Sequence, residues 1–280
     1  MAVLITGASG FIGSYLIKKL NNKNIILLSS KKRSGFIKIN IHKKKYNILD
    51  KYNIDTCIHL AWSNIPNYSK SNSIKNYQSS KKLFEYLYKN NCKKIISLGS
   101  CWEYKEDFGV KKENNDLNSN NIFGFYKKKL AKYGLKLAKK YKSIFIWFRV
   151  FYVYGEQKKG LIKHLEKAYH KKNKLILQNP HKLNDFIFIE DVVRNIINAL
   201  DTGESGIYNL GTGKKNSTLN FCKVYSRNRG VHINSLVDFL KIKKKIKKEG
   251  IWACMKKNKK TFLHKEYFDI NRGIQKLLNK

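Results

Sequence analysis

Acidic residues are scarce in this 280-residue chain: 19 Asp and Glu stand against 58 Lys and Arg, giving a formal charge of +39 at pH 7. Proline is nearly absent, with two residues. Cysteine is limited to Cys57, Cys92, Cys101, Cys222 and Cys254. The odd number and wide spacings leave no pair at metal-ligand spacing and argue against a disulfide framework, so no metal is expected and a reducing cytoplasm is the expected compartment. No apolar run approaches the ~18–20 residues a membrane span needs. Met1–Gly7 has neither a basic n-region nor a long apolar h-region, so no signal peptide is expected. Arginine is scarce as well, supplying six of the 58 basic residues. A surface that reads nucleic-acid phosphates recruits Arg for its bidentate fork, and here the lysines are spread along the whole chain. The charge therefore reads as drift towards Lys, Asn, Ile and Tyr and not as a nucleic-acid site, although it still attracts anionic substrates.

What is present is a core. Hydrophobic residues make up 42% of the chain, enough to exclude global disorder and to fill one large domain, alone or with a smaller lobe. Ala2–Thr6, Asn24–Leu28, Thr56–Leu60, Lys94–Leu98 and Ile144–Val150 are short apolar runs, expected as buried strands. Phe11–Leu20, Ser71–Asn91 and Gly124–Lys142 have helical spacing. This alternation predicts an α/β fold, a doubly wound parallel sheet covered by helices on both faces. Beyond Gly155 the pattern loosens into a helix at Leu161–His170, a strand at Asp185–Ile189, a helix at Asp191–Leu200 and a strand at Ile207–Leu210. After Lys214 the signal is weak, and Lys241–Lys248 reads as a solvated charge run.

The strongest motif is Thr6-Gly7-Ala8-Ser9-Gly10-Phe11-Ile12-Gly13, which follows a strand and opens a helix. Gly7 permits a tight turn, Gly10 lets a pyrophosphate approach the backbone, and Gly13 allows close packing of helix on strand. The helix N-terminus offers free N–H groups to the phosphates. Ser9, Phe11 and Ile12 belong to the same expected dinucleotide site. The second strand reports on the cofactor. An NAD site typically carries a carboxylate near the end of that strand, for the ribose 2′-hydroxyl. Here the strand runs into Ser29-Ser30-Lys31-Lys32-Arg33, with no acid. Ser30 and Arg33 suit a 2′-phosphate, so NADP is preferred over NAD.

These residues and several later segments resemble the extended short-chain dehydrogenases of the NAD-dependent epimerase/dehydratase family. The glycine loop has that family's TGxxGxxG form. Asp55-Thr56-Cys57-Ile58-His59-Leu60-Ala61 resembles its cofactor-lining strand, and Leu98-Gly99-Ser100-Cys101-Trp102-Glu103-Tyr104 its strand end bearing a catalytic Ser or Thr. Phe148–Gly155 resembles the segment leading into its substrate lobe, Asn184–Val192 its RDFxxVxDV segment, and Tyr208–Gly213 its YNxGxG strand. The resemblance implies a Rossmann-like domain over residues 1–155, to which about 184–212 return, and a smaller substrate lobe over 156–280, unmatched after 213. It also implies a nucleotide-diphosphate sugar as substrate, and a homodimer through Ser71–Asn91 and Gly124–Lys142.

The family's chemistry uses a Tyr that moves a proton, a Lys four residues later that lowers the Tyr pKa and holds the nicotinamide ribose, and a Ser or Thr on the same substrate oxygen. Ser100 fits the hydroxyl. No Tyr in Ile122–Leu130 has a Lys four residues on, so either Phe123 with Lys127 or Phe125 with Lys129 occupies the pair. Lys127 shares a helix face with Leu130, Ala131, Gly134 and Ala138, a packed face, whereas Lys129 sits with Lys132, Tyr133, Lys136 and Lys140. The first register is favoured, with Phe123 in the Tyr position. Loss of a general acid typically costs ~10²–10⁴ in rate. Proton transfer then falls to Ser100, to Tyr126 or to water, or the reaction has been lost.

Cys101 and Trp102 stand where the sugar dehydratases of the family have Asp-Glu, which disfavours that branch; Glu103 is expected to face the other way. Cys101 and His59 are read as packing residues. Trp62, Tyr152 and Asn184 are candidate substrate contacts, the last two replacing residues usual in the family. "GSCWEY" and "WFRVFYVYGEQ" resemble its deoxysugar-reductase branch. The expected function is NADP-dependent reduction of a nucleotide-linked keto-deoxysugar. An NAD-dependent nucleotide-sugar epimerase and a catalytically impaired dinucleotide-binding protein remain the alternatives.

Overall fold

Val3 and Ile5 face one side of the first strand and Ala2 and Leu4 the other, and all four are buried, so this strand must be covered on both faces. The computed structural model describes residues 2–20, 24–43, 45–105, 108–117, 121–156, 160–171, 173–201, 203–239, 249–263 and 266–279. The chain runs β1 (Ala2–Thr6), α1 (Phe11–Lys19), β2 (Asn24–Ser29), β3 (Ile37–Lys38), β4 (Ile54–His59), α2 (Lys70–Lys89), β5 (Lys94–Leu98), β6 (Gly109–Lys111), α3 (Ile122–Lys140) and β7 (Ile144–Val150). It continues through β8 (Tyr152–Tyr154), α4 (Leu161–Lys171), β9 (Leu183–Asn184), β10 (Phe186–Phe188), α5 (Ile189–Asp201) and β11 (Gly206–Leu210). Last come β12 (Asn216–Ser217), α6 (Thr218–Asn228), β13 (Gly250–Ala253), α7 (Lys256–Phe262) and α8 (Ile270–Leu278).

Seven strands form one parallel sheet in the order β11-β7-β5-β4-β1-β2-β3. The period-two alternation of each strand divides the core between two faces. On one, Val3, Ile5, Ile58, Ile96 and Phe148 meet Leu16 of α1 and Val192 and Ile196 of α5. On the other, Leu4, Leu28, Cys57 and Ile95 meet Leu83 and Phe84 of α2 and Leu130 and Ala131 of α3. Each such Leu or Ile side chain contributes about 1.5–3 kcal/mol when fully buried. The doubly wound sheet is the expected one, and the strands and helices expected up to residue 171 lie within a few residues of their expected ends; the short β3, β6 and β8 were not expected.

After β1 the chain winds to β2 and β3 on one side, then crosses back to β4 on the other. The connections leaving β1 and β4 therefore part at the carboxyl edge of the sheet, where doubly wound folds form their binding crevice. The strand expected at Asp185–Ile189 is β10, and a short strand that was not expected, β9, precedes it. Asn184 ends β9 and Phe186 begins β10, and the two strands lie in different small sheets, β12-β9-β13-β6 and β10-β8. The break falls at Asp185, whose buried carboxylate accepts N–H bonds from Thr212 (2.8 Å), Gly213 (2.9 Å) and Ala253 (3.1 Å) and the Thr212 hydroxyl (2.6 Å). The residues after 214 have a defined place: β13 pairs with β6 and β9, and α6 and α8 pack on the core through Phe221, Tyr225, Ile270 and Ile274. Lys241–Lys248 lies outside the described residues. Among the described residues, no helix is long and apolar enough to cross a membrane.

Candidate functional site

The glycine loop closes the carboxyl end of β1 against the end of β4. Gly7 has φ +69°, and a Cβ there would lie 2.7 Å from Ala61 N. A Cβ on Gly13 would lie 2.4 Å from the Gly7 carbonyl oxygen, so α1 sits as close to the turn as glycine allows. Gly10 differs. It is exposed at the N-cap of α1, no side chain caps that terminus, and a Cβ would meet only the Gly7 carbonyl oxygen, at 3.1 Å. Two glycines are thus required by packing, and the third leaves an open, uncapped helix end of the kind that accepts phosphate. The geometry fits a dinucleotide pyrophosphate there. Ser9 is exposed beside it, and Ser30 and Arg33 are exposed beyond the end of β2.

The loop after β4 is held by an unusual polar face of α2. Asn76 accepts the Ser63 N–H at 2.7 Å, and Asn72 donates to the carbonyls of Ser63 (3.1 Å) and Asn67 (2.7 Å). This ties down Leu60, Ala61 and Trp62 at one end and Tyr68 at the other. His59 lies beneath, pairing its ring nitrogens with the hydroxyls of Thr6 (2.8 Å) and Ser80 (2.9 Å). Burial first, and the Lys127 charge second, lower its pKa to about 3, so it is a neutral packing residue.

Beyond β5, Cys101–Glu103 forms a 3-10 turn capped by Ser100. Ser100 Oγ accepts the Trp102 N–H at 3.2 Å, and the Ser100 N–H donates to Glu103 Oε1 at 3.0 Å. Glu103 points away from the cavity, as expected, but the capping box of the 3-10 turn and not strand alternation turns it inward. It is fully buried, accepting from Trp147 Nε1 (2.9 Å) and pairing with Arg149 Nε (3.0 Å). Arg149 also donates to the Tyr104 hydroxyl (3.0 Å) and the Glu113 carbonyl (2.8 Å), and Tyr104 donates to Asn209 (2.6 Å). Ser100 thus stands on a buried polar network that fixes its backbone. Cys101 is buried, and burial raises its thiol to about 12, which excludes a thiolate nucleophile.

Helix α3 begins at Asn121, whose side chain accepts the Gly124 N–H at 3.1 Å. Its buried face contains Phe123, Lys127, Leu130, Ala131, Gly134 and Ala138, whereas Phe125 and Lys129 are exposed. Gly134 lets the helix lie close to the sheet, since a Cβ would meet the Phe145 ring at 2.2 Å. Lys127 is 7% exposed. Its Nζ donates to the Leu98 carbonyl at 2.8 Å and lies 3.9 Å from the centre of the Trp62 ring. Burial lowers its pKa to about 7, against the opposing pull of the Glu103 charge.

A cavity of about 470 Å³ opens at the carboxyl edge of the sheet. Phe11, Ile12, Leu60, Trp62, Ser100, Phe123, Lys127 and Tyr152 all line it, so the structure brings these expected residues together. Two expected residues are placed elsewhere. Tyr126 packs against Tyr77 and Phe125, on the α2 side of α3, because a three-residue step does not return it to the cavity face. Asn184 is buried within β9, donating to the Lys182 carbonyl and the Thr218 hydroxyl (both 3.3 Å), and is not part of the lining. The sequence reading missed the aromatic wall. Tyr68 packs on Trp102 (4.9 Å between ring centres) and on Phe123 (5.0 Å), and Trp62 on Phe123 (5.6 Å). The available signal was positional: aromatic residues lie in the loops that leave the ends of β4 and β5. Among the described residues, no group of three or more His, Cys, Asp or Glu is placed to hold a metal.

Sheet order, glycine loop and edge cavity together define a dinucleotide-binding α/β protein. The family model described as the NAD dependent epimerase/dehydratase family matches residues 3–211, and the chain belongs to that family. A dTDP-4-dehydro-6-deoxyglucose reductase of Escherichia coli is 29% identical over 243 residues, 76% of this chain and 77% of its own length. Solved structures share the fold over its whole length. The UDP-glucose 4-epimerase of Thermotoga maritima, solved with UDP-glucose, has a TM-score of 0.87 at 19% identity and covers 100% of this chain and 98% of its own. The UDP-glucuronic acid 4-epimerase of Bacillus cereus, solved with NAD, has a TM-score of 0.82 at 20% identity, covering 98% and 96%.

Proposed function

We propose that this protein reduces a keto carbon of a nucleotide-diphosphate deoxysugar, using NADPH. The observation that carries the reading is the meeting of Ser100 and Lys127 on the wall of one aromatic cavity, beside an uncapped glycine-loop helix. The similarity to the Escherichia coli reductase supports the reaction type. The Ser29–Arg33 turn, cationic and without a carboxylate, supports NADP over NAD.

When bound, the reduced nicotinamide supplies a hydride; everything else falls to the chain. The N–H groups at Gly10–Ile12 hold the pyrophosphate, and Ser30 and Arg33 take the 2′-phosphate. Lys127 holds the nicotinamide ribose and places positive charge at the reacting oxygen. Ser100, braced by Glu103, donates to that oxygen. Trp62, Tyr68, Trp102 and Tyr152 wall off the sugar from water. Residues 1–155, with about 184–212, bind the dinucleotide, and 156–280 bind the nucleotide sugar. A homodimer through α2 and α3, in the cytoplasm where both substrates circulate, completes the reading.

Calorimetric titration with NADPH and NADH tests it, followed by NADPH consumption with keto-sugar nucleotides. Preference for NADPH and turnover only with the keto-sugar support the reductase. The epimerase is the second reading, favoured by the folds of the solved relatives. Its signature is tightly held NAD with no net consumption. Phe123 keeps a third reading open, dinucleotide binding without catalysis; full binding with no turnover is its signature.

A further inference from the structure

Phe123, which stands where the family resemblance implies a phenol, is an unreactive ring inside an aromatic cluster. Phe123 is packed edge-on by Trp62, Tyr68 and Trp102, with ring centres 5.0–5.9 Å away. Nothing polar on that ring separates Lys127 from the cavity that both residues line. The surroundings of the Lys127 amine are sparse. It donates to the Leu98 carbonyl on β5 and lies over Trp62, with the Phe123 and Trp147 rings at 5.6 and 5.7 Å. The titratable groups near it are already committed: Glu103 to Arg149, Trp147 and the Ser100 N–H, and neutral His59 to Thr6 and Ser80. An ammonium has three protons, and one is used by Leu98.

We propose that the Lys127 ammonium is itself the acid that protonates the oxygen of the reduced carbon, in place of the phenol that Phe123 does not carry. This rests on the reductase reading above. Hydride from NADPH forms the new C–H bond at the carbonyl carbon, and the carbonyl π pair moves onto oxygen. That oxygen takes one proton from Nζ as the N–H bond breaks. The products are the secondary alcohol, NADP and a neutral lysine amine, which regains its proton from water. The carbon is reduced, NADPH is oxidised, and no further reactant is needed. A partly desolvated amine that gives up its proton near neutrality is suited to this work, whereas an exposed lysine is not.

Three measurements test the proposal. In the cofactor-free protein carrying ε-13C-lysine, the signal that disappears in Lys127→Met should titrate two or more pH units below the bulk of the lysines. In turnover, kcat should fall as pH rises through that same midpoint, because the acid form is consumed. Phe123→Tyr should move the fall to higher pH by restoring a phenol. Lys127→Arg keeps the charge but cannot give up a proton; it should retain NADPH binding and lose about 10²–10⁴ in kcat. An Arg variant within about tenfold of wild type, or a Lys127 signal that titrates with the other lysines, overturns the acid role and leaves the reductase standing. Failure of the reductase reading is seen separately, as no NADPH consumption by the wild-type protein with any keto-sugar nucleotide; that result removes the oxygen to be protonated and overturns the proposal too.

Discussion

Replacing Lys127 by Met should stabilise the protein, and by more at low pH than at high pH. Lys127 is buried, its amine donates to the neutral Leu98 carbonyl, and its pKa is lowered from 10.5 to about 7 by burial. At about 1.4 kcal/mol per tenfold change in proton affinity, that fall bounds the cost of the buried charge at about 5 kcal/mol. Contact with the Trp62 face offsets part of it. Replacing a buried charge by an apolar side chain of similar length should therefore gain about 1–4 kcal/mol near pH 6. The sign of the pH dependence follows from linkage. The folded pKa lies below the unfolded one, so between them the unfolded chain binds more protons, and wild-type stability rises with pH relative to the variant. By about pH 9 the folded lysine is largely neutral, and the advantage of Met should shrink by about 2–3 kcal/mol. Urea unfolding of both proteins across this range is the assay, since every other titrating group cancels in the difference. A difference that does not vary with pH, or a variant less stable than wild type near pH 6, would refute the reasoning.

Four further substitutions have expected outcomes. Glu103→Gln removes the partner of a fully buried Arg149 and should cost about 3–5 kcal/mol in urea unfolding; a loss under about 1 kcal/mol contradicts the network beneath Ser100. Gly10→Ala should fold with a melting temperature close to wild type yet bind NADPH about tenfold more weakly or worse, while Gly7→Ala should fail to fold, because its Cβ would collide with Ala61 at a positive φ. Arg33→Ala should lower NADPH affinity by about tenfold or more and leave NADH unchanged, in line with the ~1.5–3 kcal/mol of a charge-assisted hydrogen bond; equal losses for both cofactors would remove Arg33 from the 2′-phosphate.

The first half of the fold was legible because its signals are local. A buried strand, a glycine turn and an amphipathic helix each announce themselves within about ten residues. The packed face of α3 was legible too, since Leu130, Ala131, Gly134 and Ala138 recur at helical spacing, and in the structure those residues are buried with Lys127. What escaped depends on partners distant in sequence. The two-residue β9 was not read; Asp185, whose carboxylate accepts N–H groups at 212, 213 and 253, separates it from β10. Likewise β13 is four residues long, and its strand character comes from β6 and β9. Helix α8 carried a readable signal in Asp269 as N-cap and in the spacing of Ile270 and Ile274, but it is nine residues long with Gly273 in its interior, too short for the periodicity to stand out. The placement of Tyr126 turned on its contact with Tyr77 of α2, and that of Tyr68 on a loop pinned by asparagines of α2. Both depend on a partner in another element.

The most direct test of the central claim is NADPH consumption by the purified protein, first checked for cofactor already bound, in the presence and absence of a nucleotide-linked 4-keto-6-deoxysugar. An empty resting site, oxidation of NADPH only when the keto-sugar is present, and one alcohol formed per NADPH consumed are expected. Tightly held NAD, with interconversion of sugar nucleotides and no net loss of reduced cofactor, would contradict this claim and make the protein an epimerase.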